Sequence, residues 1–201
     1  MPRNRTMKTF QYKLSNRIIT TNQYLKMINI KEDDRCTFCN RETETLVHLF
    51  WECNKVQSFI RSIRTNLLNK YILKLEIKKD SWFFPTNLTT METLIITLAK
   101  VVIYEARINE NSPSFTHLKN KLTWEIEVEF QTAQLRGQKD VFWKKWTPMT
   151  RFINEQCKSI ISTNALTHAS PPQRPPIPPQ TLSHTLSQPT PFSQADHLPV
   201  L

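Results

Sequence analysis

The sequence predicts a mainly α-helical protein, and three observations carry that reading. Apolar residues recur at three- and four-residue intervals through residues 1–161, the spacing of one helix face. Helix-start chemistry stands at the right places, in Thr20–Thr21–Asn22 and in the capping-box pattern Thr89-x-x-Glu92. Composition then changes abruptly near residue 162, where the patterning stops.

Phe10, Leu14 and Ile18 share one face of a basic first helix that also carries Lys8, Lys13 and Arg17. Thr20–Thr21–Asn22 interrupts that pattern and caps a second helix, with Tyr24, Leu25 and Ile28 as its expected apolar face. Val56, Ile60, Ile63 and Leu67 form a later stripe, with Arg61 and Arg64 turned away from it. Tyr71–Ile77 is tolerant of β-structure, and Trp82–Phe83–Phe84–Pro85 is an apolar segment ended by proline. The Thr89–Glu92 box opens a long helix over Met91–Asn109. Another is expected from Ser114, with Phe115, Leu118, Leu122, Ile126 and Phe130 along one stripe. Phe142, Trp143 and Trp146 close the domain before Pro148.

Beyond residue 162 lie nine of the chain's 13 prolines, and only Arg174 and Asp196 as full charges. Proline removes backbone donors and fixes φ, and too little apolar surface is present to offset the entropy of ordering. Residues 163–201 are therefore expected to be a disordered Pro-rich tail with local polyproline II around Pro171–Pro179. Docking to an SH3- or WW-type domain is the weaker alternative, because Arg174 does not stand at the usual flanking spacing.

Cys36, Cys39, His48 and Cys53 follow the pattern C-x2-C-x8-H-x4-C. Three thiols and an imidazole are the donors a tetrahedral Zn²⁺ takes. With four protein ligands no position is left for an activated water, so such a site is structural. Buried unliganded thiols or a redox pair are the competing readings. Zinc is preferred because three of the four cysteines cluster around one suitably spaced histidine, while Cys157 stands apart. Met1–Lys13 is basic and polar with no apolar signal core, which implies an intracellular, reducing setting in nucleus or cytoplasm, not secretion.

The domain plan is a basic helical lead-in over 1–35, a zinc knuckle and its following helix over 36–70, a helical C-terminal part over 71–161, and the tail. The fold class is thus mainly α, with a small CCHC zinc knuckle embedded between helices. A net charge of +10 over 201 residues points to a polyanionic partner. No apolar run is long enough to span a membrane. With Gly137 as the only glycine, a P-loop, a Rossmann turn and a G-x-S-x-G elbow are all excluded as normally written.

The run FQYKLSNRIITTNQYLKMINIKEDDRCTFCNRETETLVHLFWECNKVQSFI resembles the zinc-binding region downstream of the polymerase in non-LTR (LINE-type) retrotransposon reverse transcriptases. LAKVVIYEARINENSPSFTHLKNKL is similar to the helical C-terminal part of such proteins. The resemblance implies a non-catalytic module that helps hold template RNA or target DNA. The aromatic-x-Asp-Asp polymerase turn is absent, Asp33–Asp34 reading as a solvated turn, and no endonuclease or ribonuclease H carboxylate set is evident. The expected partners are single-stranded RNA or DNA, and a polymerase region on another chain, with no membrane and no small-molecule substrate. Retroviral knuckles share the H-x4-C ending but have a shorter middle spacing, so their base-stacking geometry does not transfer directly.

Phe38, Phe50 and Trp51 are candidates for stacking on bases, with core packing as the alternative for each. Arg35, Arg41, Lys55, Arg61 and Arg64 are candidates for phosphate contacts. A zinc-organised protein-interaction scaffold, or a decayed retroelement fragment without nucleic-acid binding, are the competing functional readings. Glu125, Glu127 and Glu129 read as a solvated helical face, and Trp143–Trp146 as a basic-aromatic segment suited either to nucleic acid or to packing.

Overall fold

The computed structural model describes residues 2–157 and Ile160, with side chains from Met7 onward. These residues fall within one unit, Met1–His168. The tail expected over 163–201 lies outside the described residues.

The described chain is helical, and its only β-pairing is an isolated antiparallel bridge between Arg35 and Thr43. In order, α1 covers Pro2–Ser15, α2 Asn22–Met27, α3 Asn54–Ile63, α4 Lys79–Phe83, α5 Thr90–Ile108, α6 Phe115–Leu135, α7 Lys139–Trp146 and α8 Thr150–Gln156. A wide π-type turn over His48–Glu52 precedes α3, and a second over Arg64–Asn69 extends it. No helix among the described residues is long and apolar enough to cross a membrane.

Helix α5 is the central strut because apolar residues cover most of its circumference. Met91, Ile95, Ile96, Leu98, Ala99, Val102, Ile103 and Ala106 are all buried. Its start is the capping box expected from sequence: Glu92 N donates to Thr89 Oγ1 at 3.2 Å, and Thr89 N donates to Glu92 Oε2 at 2.8 Å. Helix α6 lies beside it, capped by Ser114, which accepts from His117 N at 3.2 Å. Of the predicted stripe, Leu118, Leu122, Ile126 and Phe130 are fully buried, and Phe115 in the first turn is half-buried. Gly137 sits at φ +65 just past α6, and Gln138 N donates back to Ala133 O at 2.7 Å, so the single glycine of the chain serves as a left-handed helix stop.

Other helices stop in the same way without glycine. Arg17, Asn29, Ile72 and Glu110 take φ values of 55, 56, 56 and 54, and the residue after each donates back into the helix just ended. The early stop at Arg17 changes the expected face of the first helix. Phe10 and Leu14 are buried, but Ile18 has left the helix and is 53 % exposed, and Ile19 takes its place in the core.

Thr21 caps α2 as expected, accepting from Tyr24 N at 3.3 Å. The face proposed for α2 is not a core face, since Tyr24 and Ile28 are exposed and Leu25 is half-buried. At six residues α2 is too short to bury a stripe, and its inward contact is made by Asn22. Tyr71–Ile77 forms no strand and crosses the surface as a loop that buries Tyr71, Leu75 and Ile77. The core also runs past Pro148, through a 3₁₀ turn over Thr147–Met149 into α8, where Phe152, Ile153 and Cys157 are buried. Burial pushes the Cys157 thiol up to about 12, which makes it an inert core residue.

Candidate metal centre

Cys36 and Cys39 flank a tight turn in which Asn40 N donates to Cys36 O at 2.8 Å, and Asn40 closes it at φ +53, a conformation asparagine tolerates. His48 opens the π-type turn, and Cys53 ends it at the N-terminus of α3. The extra residue in that turn lets Leu49 and Phe50 point into the core, where both are fully buried, while His48 and Cys53 converge on the Cys36–Cys39 turn.

The ligand atoms of these four residues all lie within 4.8 Å of one another. Cys36 Sγ and Cys53 Sγ are 3.9 Å apart, and Cys39 Sγ and His48 Nε2 are 3.4 Å apart. A zinc tetrahedron with bonds of about 2.3 Å to sulfur and 2.0 Å to nitrogen has S–S edges of about 3.8 Å and S–N edges of about 3.5 Å. The donor set therefore fits Zn²⁺ in chemistry and in size. When bound, the metal supplies a structural cross-link and no reactive position, because all four ligands come from the protein.

The surroundings favour the thiolate at Cys53 and oppose it at Cys36. Cys36 Sγ–H donates to Cys53 Sγ, which holds the Cys53 thiol below its ordinary range and the Cys36 thiol above it. The N–H groups of Val56 and Lys55, at the start of α3, also draw Cys53 toward its charged form. Phe38 N donates to Cys36 Sγ at 3.4 Å.

Behind the ligands stands a residue that the motif did not single out. Glu44 is fully buried. Its Oε2 accepts from Thr37 N at 2.9 Å and from Thr37 Oγ1 at 2.8 Å, so it braces the turn between Cys36 and Cys39. Its Oε1 accepts from Asn22 N at 2.9 Å and from Arg107 Nε at 2.7 Å. Asn22 Nδ2 in turn donates to Arg35 O at 2.7 Å. These outer contacts fix the metal turn against both α2 and α5. The available sequence signal was two carboxylates, Glu42 and Glu44, within the insert Asn40–Val47, which spacing rules for metal ligands neither flag nor tell apart.

The residues expected to touch nucleic acid are dispersed among different tasks. Arg35 Nε donates to Asp33 Oδ2 at 2.6 Å. Arg61 Nη2 donates to Ser58 Oγ at 2.8 Å, and Arg64 Nη2 to Ile77 O at 2.6 Å, where it holds the following loop. Arg41 and Lys55 are exposed. Phe50 is wholly core. Phe38 and Trp51 are half-buried against that core, and the Trp51 ring lies 5.9 Å from the Trp82 ring. On α7, Trp146 is buried and Lys145 pairs with Glu129 at 2.7 Å, so that segment is engaged in packing.

No curated protein matches the chain. Residues 3–59 match a family model described as zinc-binding in reverse transcriptase, and the match contains all four ligands together with Asn22 and Glu44. Residues 3–59 of this chain are thus a zinc-binding region of the reverse-transcriptase-associated kind.

Proposed function

We propose that this chain is a non-catalytic, zinc-built module that binds RNA or DNA. The observation that carries the reading is the charge of the N-terminal segment. Residues 1–31 contain Arg3, Arg5, Lys8, Lys13, Arg17, Lys26 and Lys31 and no aspartate or glutamate. Nearly all of that acid-free stretch lies inside the zinc-binding region, so the excess cations sit on the structure that the metal organises. The four protein ligands leave zinc no open position, which supports a binding role over a hydrolytic one.

The test is a fluorescence-anisotropy titration of the zinc-loaded chain against single-stranded RNA across a salt series. Log-linear weakening with salt, at ~0.7 per phosphate neutralised, and loss of binding in Cys39→Ser are the expected results. A folded, zinc-containing protein that fails to bind at low salt overturns the reading.

A second reading, a scaffold for a protein partner such as a separate polymerase chain, is favoured by one feature. Ile18, Tyr24, Met27, Ile28 and Val47 are exposed, and Ile18, Tyr24 and Val47 line one shallow concavity of about 580 Å³. Association with a polymerase chain by a protein that ignores nucleic acid supports this reading instead.

A further inference from the structure

Helix α1 has two unlike faces. Its inner face is fixed to the metal-bearing core: the Phe10 ring lies 6.2 Å from that of Phe50, which stands between His48 and Cys53, and 5.6 Å from that of Tyr104 on α5. Leu14 is buried, and Gln11 Oε1 accepts from Lys100 Nζ at 3.1 Å. The outer face is polar except for one ring. Tyr12 is 63 % exposed, and no aromatic partner for it is found among the described residues. Lys8 stands one turn before Tyr12 on the same face, both of them exposed, and Lys13 flanks it. Exposed Arg17 follows at the left-handed stop.

Ion pairing separates these cations from several others. Lys26, Lys70, Lys79, Lys121 and Lys145 each meet a carboxylate within 3.5 Å. Lys8, Lys13 and Arg17 meet none among the described residues. Glu105 and Glu125 line the same groove as Lys13, and Glu125 and Glu129 line that of Lys8, with Lys121 pairing Glu105 at 2.8 Å and Lys145 pairing Glu129 at 2.7 Å. The outer face of α1 is therefore a cationic surface without direct carboxylate contacts among the described residues, around one projecting aromatic ring, held on the zinc centre from behind. A ring of this exposure presents a π-face that a duplex has no free base to meet and that an unpaired base stacks on.

We infer that the outer face of α1, centred on Tyr12 and flanked by Lys8, Lys13 and Arg17, is the surface on which this module holds a single nucleic-acid strand. Tyr12 stacks on an unpaired base, and the three cations neutralise neighbouring phosphates. This inference rests on the nucleic-acid reading above and locates it away from the residues nearest the metal.

The experiment compares four zinc-loaded full-length proteins: wild type, Tyr12→Ala, Lys8→Gln/Lys13→Gln, and Arg41→Gln/Lys55→Gln. Each is titrated with oligo(U) and with oligo(dT) of equal length over a salt series, with zinc content and thermal unfolding as controls. Tyr12→Ala is expected to weaken binding about tenfold. Lys8→Gln/Lys13→Gln is expected to reduce the salt slope by ~1.4, at ~0.7 for each phosphate no longer neutralised. A loss confined to oligo(U), or to oligo(dT), identifies which strand the surface takes, and either supports the assignment. Wild-type binding that Arg41→Gln/Lys55→Gln weakens while the α1 variants leave it intact overturns the assignment and keeps the nucleic-acid function. A wild type that binds neither oligonucleotide overturns both.

Discussion

Arg107 donates from Nε to Glu44 Oε1 at 2.7 Å, joining the turn that carries the first two metal ligands to a helix outside the matched residues 3–59. Glu44 is fully buried and Arg107 is 12 % exposed at its side chain, so the pair is shielded from water. Removing one partner of such a pair leaves an uncompensated buried charge, which costs about 3–5 kcal/mol. Here the cost is reduced because Thr37 and Asn22 still donate to the carboxylate. Arg107→Ala is expected to lose about 3 kcal/mol in urea unfolding of the zinc-saturated protein. Glu44→Gln turns an amide N–H₂ toward existing donors and should also weaken zinc affinity about tenfold or more, read by competition with a chelator. A loss under 1 kcal/mol for Arg107→Ala would show that the helical part and the metal region are energetically separate.

Trp51 distinguishes packing from base stacking beside the metal. Its ring is tilted at 56° against that of Trp82, which is fully buried, and its carbonyl accepts from Gln57 Nε2 at 2.6 Å. Trp51→Ala is expected to cost about 2 kcal/mol, below the 3–5 kcal/mol of a wholly buried tryptophan because the ring is only half-buried. Affinity for single-stranded RNA should remain within about twofold of wild type, since stacking loss typically removes ~1–3 kcal/mol per base. A folded variant with tenfold weaker binding and unchanged stability assigns Trp51 to the nucleic acid after all.

The legible parts of the chain were those governed by local chemistry. The ligand pattern, the Thr89–Glu92 box and the stripe Leu118–Phe130 depend on spacing within one element, and the structure reproduces each. Features set by helix ends were less legible. Ile18 fits the periodicity of α1, yet the helix stops at Ser15 and Arg17 turns left-handed, which rotates Ile19 inward in its place. Spacing had no means of showing that stop, because arginine carries no C-cap signal of the glycine kind. Glu44 was missed for a different reason. Its partners Asn22 and Arg107 are 22 and 63 residues away, so only the tertiary fold reveals it as a hub.

Ile72 offers a stabilising change. It sits at φ +56 and is 84 % exposed, a β-branched side chain in the left-handed region with little burial in return. That conformation costs roughly 1–2 kcal/mol for an L-residue with a branched Cβ. Ile72→Asn relieves part of the strain without the unfolded-state entropy that glycine adds. A gain of about 1 kcal/mol in urea unfolding, with zinc content unchanged, is expected; destabilisation would mean that the loop after Asn69 relies on the isoleucine side chain.

Lys100 gives the fold a pH dependence of definite sign. Its side chain is fully buried on α5, and Nζ donates to Trp82 O at 3.0 Å, near the C-terminus of α4, and to Gln11 Oε1 on α1. Both partners are neutral, and burial lowers the ammonium from 10.5 to about 8. Between pH 8 and 10.5 the unfolded chain therefore holds a proton that the folded chain has released. Stability rises with pH wherever the unfolded state binds more protons, so burying Lys100 costs most below pH 8 and progressively less up to 10.5. Each pH unit in that window is worth about 1.4 kcal/mol at most. Against Lys100→Met, in which the other titrating groups cancel, the relative stability of the wild type should climb by about 2–3 kcal/mol between pH 7 and 10. Urea unfolding of both proteins at the two pH values measures this directly. A difference that stays level would mean that water reaches the ammonium and that the junction of α1, α4 and α5 opens at Lys100.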